Sequence, residues 1–526
     1  MEADTALWTL NIEPRPYQID AFARMVARGN LLLALTMGAG KTVTGIAAVE
    51  LLAAQGEVTS GWVFCPNSIK YQWLGEIRRH VGGRYAQVVD GTLDQRRYQY
   101  KWSKRFRYNI ASYDTFRNDY KLFQHFAPAP SFVIADEATQ IKSFRAKRSR
   151  LLKAWSKDCP YRFALTGQPI ENRPEELFSI MEYVDRSALG PFAQFDRTFI
   201  LRDHFGRPIR YRNMDVLKNA LEPVMFRRSR KDVEAYLPRI NTLEVPVQLS
   251  QQVLDLYDFI RADTLDVIDA VLAAGGMGGW NVLSAYGRTE EGGGGKGKGE
   301  IMSRLTCMRL LCDHPTLLGL SADNFDDTDT TSGSKYASWL RQEGYLDGVV
   351  GSTKMDAAVD MIEEIVSEDP DNRVVLFAYF KPMLWMIQRE LGARHIGSVM
   401  LIGDMNAQAR QMSLDAFRGP TRVLLSSDAG QYGIDLPQAN YLISYDLPWS
   451  AGAYSQRIAR IDRTSSQWGQ VNVVTLVGQG TIEQRQLEML KQKAKVAEAW
   501  IDAQHIDAKG GLTLTLGTLK AFLEAC

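Results

Sequence analysis

Short apolar runs alternate with longer helical patterns in two separate parts of this sequence, and this alternation constrains the fold more than any other feature. Each run ends at small or polar residues: 30–35, 61–66, 132–137 and 161–167 in the first part, and 373–380, 422–427, 439–446 and 471–477 in the second. Strands buried on both faces are continuously apolar, and helical crossovers between them imply parallel sheets. The sequence therefore predicts an α/β protein with two lobes.

Length and composition restrict the class of protein. A chain of 526 residues is too long for one hydrophobic core. Lys plus Arg (62) nearly balances Asp plus Glu (61), so any nucleic-acid binding must use local patches. The five cysteines form no C-x-x-C pair, which is typical of a reduced compartment. No signal peptide and no apolar run of roughly 18 residues is present. We expect an intracellular protein without a membrane partner.

Composition shifts between the two parts. Residues 275–299 hold 11 glycines in 25 positions, which is typical of a flexible segment. We predict a first lobe at 1–245 with a helical insertion near 185–240, and a helical, glycine-rich linker and insertion at 246–350. The second lobe is predicted at 351–505, and a C-terminal tail at 506–526.

A glycine bend follows the first apolar run in "LLLALTMGAGKTVTGIAAVE" (31–50). Gly40, Lys41 and Thr42 match the second half of the phosphate-loop pattern G-x-x-x-x-G-K-S/T, but Leu35 replaces its first glycine. Backbone N–H groups at such a bend and helix start bind anions. Lys41 would reach the β- and γ-phosphates, and Thr42 would ligate Mg²⁺. The alternative is an accidental glycine turn.

Two carboxylates end another apolar run in "FVIADEAT" (132–139). Ligands of α/β sheets bind at the carboxyl ends of the strands. Asp136 would serve the metal and Glu137 the attacking water of phosphoryl transfer. The alternative is a helix-capping Asp followed by a first-turn Glu.

Three polar residues in "DLPWSAGAYSQRIARIDR" (446–463) are spaced by four and three positions. A helix would place Gln456, Arg460 and Arg463 on one face. Two arginines aimed the same way would stabilise γ-phosphate charge from a second lobe. The alternative is a solvated basic face.

These motifs resemble those of the superfamily 2 helicase-like ATPases, and among them the Swi/Snf-type DNA translocases, in a bacterial or phage-like form. The same resemblance is carried by segments 15–18, 64–77, 109–116, 136–143, 164–180, 226–238, 307–318, 352–362, 400–417 and 426–449, so that it runs from about residue 10 to about 495. The chain departs from the family at Leu35 and Thr36, where relatives carry two acids, and at Gln168, where they carry Thr. "DRTSSQ" keeps Arg463 but loses the usual glycine-glutamine end.

The resemblance implies two tandem RecA-like lobes with ATP and DNA sites at the interlobe cleft and helical family-specific insertions. It implies a DNA-dependent ATPase that moves along double-stranded DNA and remodels protein–DNA or branched DNA structures, with ATP and Mg²⁺. The implied catalytic residues are Lys41, Asp136, Glu137, Arg460 and Arg463, with Thr42 and Asp136 on Mg²⁺. The implied nucleotide contacts are Tyr17, Gln18 (reading adenine), Met37, Gly38, Ala39, Gly40, Lys41, Thr42, Gly433, Asp435 and Gln456. The implied DNA contacts are Trp73, Ser112, Tyr113, Lys142, Thr166, Gly403, Ser426 and Ser427. For Trp73 the alternative is a place in the core of the first lobe.

Two basic stretches are further candidates for sequence-independent phosphate contact, "RRYQYKWSKRFRY" (96–108) and "KSFRAKRSR" (142–150). Amphipathic surface helices have the same composition. Two other functions stay open, a strand-separating DNA or RNA helicase and a non-enzymatic, ATP-gated DNA clamp or partner-binding protein. We expect a monomer with a replication, recombination or transcription protein as partner. The expected location is the cytoplasm of a bacterium or phage-infected cell, or the nucleus of a eukaryote.

Overall fold

The computed structural model describes residues 7–170, 174–202, 204, 208–274, 282, 297–327, 333–428, 434–501 and 515–525. Its strands form two parallel sheets of seven and six strands and one antiparallel pair. Each large sheet is the centre of one lobe, which confirms the predicted fold of two α/β lobes. In the described residues, no helix is both long and apolar enough to cross a membrane.

The first lobe is built on the seven-stranded sheet. Its strands, with the antiparallel pair β7–β8, are β1 (Asn30–Leu35), β2 (Gly61–Cys65), β3 (Ala86–Val88), β4 (Tyr108–Ser112), β5 (Phe132–Asp136), β6 (Tyr161–Leu165), β7 (Ile200–Arg202), β8 (Pro208–Tyr211) and β9 (Met225–Arg228). Its helices are α1 (Pro16–Arg28), α2 (Lys41–Ala54), α3 (Lys70–His80), α4 (Leu93–Lys101), α5 (Tyr113–Asn118), α6 (Tyr120–Phe126), α7 (Lys147–Trp155), α8 (Pro174–Val184), α9 (Phe192–Phe199) and α10 (Met214–Leu221).

The strand order β3-β4-β2-β5-β6-β1-β9 brings the phosphate-loop strand β1 between β6 and β9, with β5 two places away. All of these pairings are parallel, so the carboxyl ends of β1 and β5 lie at the same edge of the sheet. Helices cover both faces, and β2 and β5 are buried along their whole length. This burial explains why their sequences are continuously apolar.

The second lobe is built on the six-stranded sheet, in the order β10-β15-β14-β11-β13-β12. Its strands are β10 (Arg239–Val247), β11 (Val374–Phe377), β12 (Ser398–Leu401), β13 (Val423–Ser426), β14 (Tyr441–Ser444) and β15 (Gln470–Gly478). Its helices are α11 (Gln251–Ala273), α12 (Lys298–Asp313), α13 (Pro315–Asp326), α14 (Lys335–Gln342), α15 (Thr353–Glu368), α16 (Lys381–Ala393), α17 (Ala407–Arg418), α18 (Ala451–Ile458), α19 (Ile482–Ile501) and α20 (Leu516–Glu524).

The structure differs from the predicted domain division at four places. The boundary at 245 falls inside β10, which pairs with β15 along nine residues and so belongs to the second lobe. The described helices of the predicted linker, α11 to α14, share one apolar core with the second sheet, as does α20 of the predicted tail. The predicted helical insertion near 185–240 also contains the β7–β8 pair and the sheet strand β9.

Candidate active site

The phosphate loop connects β1 to α2 through two glycines with left-handed backbone conformations. Gly38 and Gly40 both have φ of 77°, which favours glycine. Space is restricted as well, because a Cβ on Gly40 would lie 2.3 Å from Nε2 of Gln18. Lys41 begins α2, and its Nζ donates to the carbonyl oxygens of Leu35 (3.1 Å) and Thr36 (3.2 Å). Leu35 and Thr36, which stand where relatives carry two acids, therefore hold the Lys41 ammonium group through their backbone carbonyl oxygens.

Lys41 lacks a fully compensating negative charge. Burial lowers the pKa of its ammonium group to about 8, and the carboxylates of Glu137 and Asp136 only partly oppose this effect. The positive charges of Arg463 and Arg460 lower the pKa further. A buried cation in this position would be stabilised by a bound polyanion.

The remaining predicted loop residues surround Lys41. Thr42 follows it in the first turn of α2 and is half-buried. Met37 packs against the segment that follows β6, because a Cβ placed on Gly167 would lie 2.7 Å from Cγ of Met37. The carbonyl oxygen of Ala39 accepts hydrogen bonds from α1, and these bonds connect the helix to the loop.

The two donors on α1 are Tyr17 and Gln18. The Tyr17 hydroxyl lies 3.2 Å from the Ala39 oxygen, and Gln18 Nε2 lies 3.3 Å from it. Gln18 Oε1 accepts from the backbone N–H of Arg15 at 2.8 Å. Both ends of the Gln18 amide are therefore engaged, and its predicted contact with adenine would replace at least one of these bonds.

The paired carboxylates follow β5 at the cleft edge of the sheet. Asp136 is 7% exposed, and its Oδ1 accepts the backbone N–H of Glu137 at 2.8 Å. Glu137 has φ of 49°, so its side chain leaves the strand direction. Burial raises the pKa of both carboxyl groups, and the Asp136 charge adds to the effect on Glu137. A raised pKa makes Glu137 a better proton acceptor near neutral pH.

Two predicted DNA contacts instead support Asp136 from inside the lobe. The indole N–H of Trp73 donates to Asp136 Oδ2 at 2.7 Å, and the Tyr113 hydroxyl donates to the Asp136 carbonyl oxygen at 2.8 Å. Trp73 is only 1% exposed and Tyr113 only 2%. The lobe core encloses both rings, so neither is open to a duplex in this arrangement, and direct DNA contact by Trp73 and Tyr113 stays a prediction.

Four more predicted DNA contacts are also buried. Ser112 caps α5 by accepting the N–H of Thr115 at 3.0 Å. Thr166, Ser426 and Ser427 are each at most 2% exposed. Other parts of the lobes cover these four hydroxyls in this arrangement, and their direct contact with a duplex stays a prediction.

The other DNA candidates lie nearer the surface. Gly403 is exposed, and Lys142 is half-buried with its Nζ 3.7 Å from Glu176. In the stretch 96–108, Lys101, Lys104 and Arg105 are exposed, and Arg105 lies over the Trp102 ring at 3.8 Å. Several basic residues of 142–150 are exposed as well.

The second lobe contributes the arginines, but not from one helix face as predicted. Helix α18 ends at Ile458, and tighter turns follow, with N–H groups of Arg460 and Ile461 bonded three residues back. The Arg460 guanidinium donates to the carbonyl oxygens of Gln456 (3.0 Å) and Ile434 (3.1 Å). Arg463 forms an ion pair with Asp435 at 2.7 Å. Gly433, the remaining candidate, lies outside the described residues.

Several contacts join the lobes at this cleft. Gln456 Nε2 lies 3.5 Å from Glu137 Oε1, and Gln168 Nε2 donates to Ser455 Oγ at 3.3 Å. The Thr464 hydroxyl donates to the Gly38 carbonyl oxygen at 3.2 Å. The lobes are therefore closed on each other, with Lys41 and the carboxylates on one side and the arginines on the other.

Sequence reasoning did not identify two charged residues near the cleft. Arg230 forms a two-pronged ion pair with Asp462 at 2.9 and 3.1 Å. Arg457 is fully buried and forms ion pairs with both Asp428 and Asp446. Arg230 stands within the segment 226–238 that carried the resemblance, but only the fold shows its partner.

Comparison with protein families decides the classification. The SNF2-related domain matches residues 17–316, and the Helicase conserved C-terminal domain matches residues 354–465. The chain belongs to the SNF2-related domain family. The first match of this SNF2-related protein covers more than half of the chain and contains the phosphate loop and both carboxylates.

Individual relatives are similar over most of this chain. "DNA repair and recombination protein RAD54" from Saccharomyces cerevisiae is 25% identical over 517 residues, which are 90% of this chain and 53% of the relative. "Uncharacterized ATP-dependent helicase YqhH" from Bacillus subtilis is 23% identical over 500 residues, 94% of this chain and 80% of the relative. The chain thus spans about half the length of the yeast relative.

One solved structure supports the fold. The Hef helicase domain of Pyrococcus furiosus has a TM-score of 0.55 and 18% identity, with 92% of this chain and 98% of that chain covered. At this identity the likeness extends to the arrangement of two RecA-like lobes alone.

Proposed function

We propose that this SNF2-related protein is a DNA-dependent ATPase that uses ATP hydrolysis to move along double-stranded DNA. The observation that carries the proposal is the meeting of three groups at one closed cleft: Lys41, the carboxylates of Asp136 and Glu137, and the arginines Arg460 and Arg463. Their charges influence one another, since the arginines and the carboxylates act in opposite directions on the pKa of Lys41. This combination is what phosphoryl transfer requires.

The residues at the cleft fit a nucleoside triphosphate with Mg²⁺. A buried ammonium group, a glycine bend and two nearby guanidinium groups would bind a triphosphate. The described residues contain no group of three or more His, Cys, Asp or Glu that could hold a metal ion. Thr42 and Asp136 would hold Mg²⁺ together with phosphate oxygens of the nucleotide. When bound, the metal would neutralise phosphate charge and stabilise the transition state.

This chain's own groups would then perform the chemistry. Glu137 accepts a proton from the attacking water, because burial gives it a raised pKa. Lys41 holds the β- and γ-phosphates, and Arg460 and Arg463 approach the γ-phosphate only when the lobes are closed. Hydrolysis would thereby be tied to lobe closure, and repeated closure would shift the lobes along a phosphate backbone.

DNA as the track is supported by the name of the yeast relative, which acts in DNA repair and recombination. Exposed cations at Lys101, Lys104 and Arg105, together with Lys142 and Gly403, are our proposed surface contacts. They would bind phosphates without reading the base sequence. We further propose a monomer in the cytoplasm of a bacterium or phage-infected cell, or in the nucleus if eukaryotic, working with a replication, recombination or transcription protein.

The proposal is tested by measuring ATP hydrolysis with no DNA, single-stranded DNA and duplex DNA in parallel. We expect the greatest stimulation by duplex DNA, with a steep loss at high salt as counterions compete. Lys41→Ala should abolish hydrolysis. Lys157→Ala is the control, because this exposed lysine precedes β6 at the opposite end of the strands.

Two DNA substrates separate the proposed function from strand separation. A translocase should displace a triplex-forming strand and leave a forked duplex paired, whereas a helicase should unwind the fork. If purified protein shows no DNA-stimulated hydrolysis sensitive to Lys41→Ala, the protein is a clamp or partner-binding protein instead.

A further inference from the structure

The ion pair between Arg230 and Asp462 connects the two lobes beside the candidate active site. Arg230 lies at the start of a 3₁₀ helix, Lys231–Tyr236, that directly follows the edge strand β9. Val233 and Leu237 of this segment are buried in the first lobe's core. The Tyr236 ring lies 5.7 Å from the Tyr17 ring of α1. Arg230 is thus fixed to the first lobe by its neighbours.

The Arg230 guanidinium group contacts two different parts of the chain. Nε lies 2.9 Å from Asp462 Oδ2, and a terminal nitrogen lies 3.1 Å from Oδ1. The same terminal nitrogen donates to the Pro238 carbonyl oxygen at 2.6 Å. Pro238 immediately precedes β10, so Arg230 binds both the second lobe and the point where the chain crosses into it.

The backbone of Asp462 lies against the phosphate loop, and its side chain points to Arg230. It lies between Arg460 and Arg463, and a Cβ on Gly38 would come within 2.4 Å of its carbonyl oxygen. The Asp462 side chain is 9% exposed and that of Arg230 is 34% exposed. The pair is therefore partly shielded from water and stands where the arginine segment meets the loop.

We propose that Arg230 and Asp462 form a latch that holds the segment 460–464 against the phosphate loop when the lobes close. Arg230 is a positioning residue, since it acts on the two arginines through Asp462 and does not itself face Lys41. A two-pronged arginine–carboxylate pair fixes orientation as well as distance. A lysine would keep the charge but lose the planar fork. The expected effect of the latch on hydrolysis rests on the proposed function. Its expected effect on lobe closure is independent of that function.

Steady-state ATP hydrolysis of matched variants tests the latch. We expect Arg230→Ala and Asp462→Ala each to lower kcat at least tenfold while KM for ATP changes less than threefold, because the arginines are misplaced only in the closed state. The double variant should be no slower than either single variant. Arg230→Lys should recover part of the loss. The control is Arg28→Ala, which breaks a more exposed pair with Asp185 in the first lobe.

Several outcomes would overturn the latch: kcat values within twofold of Arg28→Ala, multiplicative losses in the double variant, or a raised KM with unchanged kcat. Small-angle X-ray scattering without nucleotide tests closure separately. Arg230→Ala should have a larger radius of gyration than the unaltered protein and Arg28→Ala, and equal radii would refute the latch. An unaltered protein that does not hydrolyse ATP would refute the proposed function, and the scattering result would then decide on the latch.

Discussion

Replacing Trp73 by Phe tests whether the lobe core controls the candidate metal ligand. The substitution removes the 2.7 Å hydrogen bond from the indole to Asp136 Oδ2 and leaves that oxygen, on a residue only 7% exposed, without this donor. Hydrogen bonds to charged groups contribute about 1.5–3 kcal/mol. If this energy positions Asp136 for the reaction, kcat should fall roughly 10- to 100-fold, at about 1.4 kcal/mol per factor of ten.

The matched control for this substitution is Trp62→Phe. Trp62 is also 1% exposed in the first lobe, but its ring packs among aromatic rings such as Phe123, with centroids 4.3 Å apart. Both substitutions contract a buried ring and should lower the melting temperature, whereas only Trp73→Phe should lower kcat strongly. The Trp73 bond also lowers the pKa of Asp136, so its loss should move the acid limb of the pH–rate profile to higher pH. Equal kcat values and equal acid limbs for the two variants would refute the reasoning.

Three further substitutions or conditions have defined outcomes. ATP affinity should fall as pH rises above about 8, since bound phosphates favour the charged form of Lys41 and its pKa is about 8 when free; a fluorescent-nucleotide titration with flat affinity to high pH would contradict this. Gly38→Ala should lower both nucleotide affinity and hydrolysis, and hydrolysis more strongly, because an alanine at φ of 77° strains the phosphate loop and its Cβ would also come within 2.4 Å of the Asp462 carbonyl oxygen of the second lobe; an unchanged affinity, or a loss of hydrolysis no larger than the loss of affinity, would count against it. Arg457→Met should destabilise the second lobe by about 3–5 kcal/mol, as removal of one partner of a buried ion pair does, and thermal denaturation with a loss under about 1 kcal/mol would exclude that role.

The sequence predicted the central strands well because their burial on both faces leaves a local signature. It also predicted that Lys41 and Asp136 lie together, because the carboxyl ends of parallel strands lie at one edge of the sheet. Strand β10 has no such signature: most of its residues are exposed or half-buried. Its assignment to the second lobe depends on pairing with β15, more than 200 residues away.

Side-chain direction was harder to predict than location. The resemblance placed Trp73 on a motif near the cleft, but only the packing of α3 against the sheet shows that its ring points to Asp136 instead of outward. Likewise, i, i+4 and i+7 spacing places Gln456, Arg460 and Arg463 together only if the helix continues, and α18 stops at Ile458. Tertiary contacts with the phosphate loop decide that local geometry.

Strand β10 also has a consequence for handling the second lobe by itself. It covers the outer side of β15 through nine parallel residue pairs, and without it β15 would present unpaired N–H and C=O groups along most of its length. Uncovered edges of this kind recruit other chains. A fragment beginning near residue 351 lacks both this strand and the helices α11 to α14 of the same apolar core, and it should therefore self-associate. A fragment beginning before Arg239 keeps the natural edge strand, which is mostly exposed and contains Pro246, and it should stay dispersed.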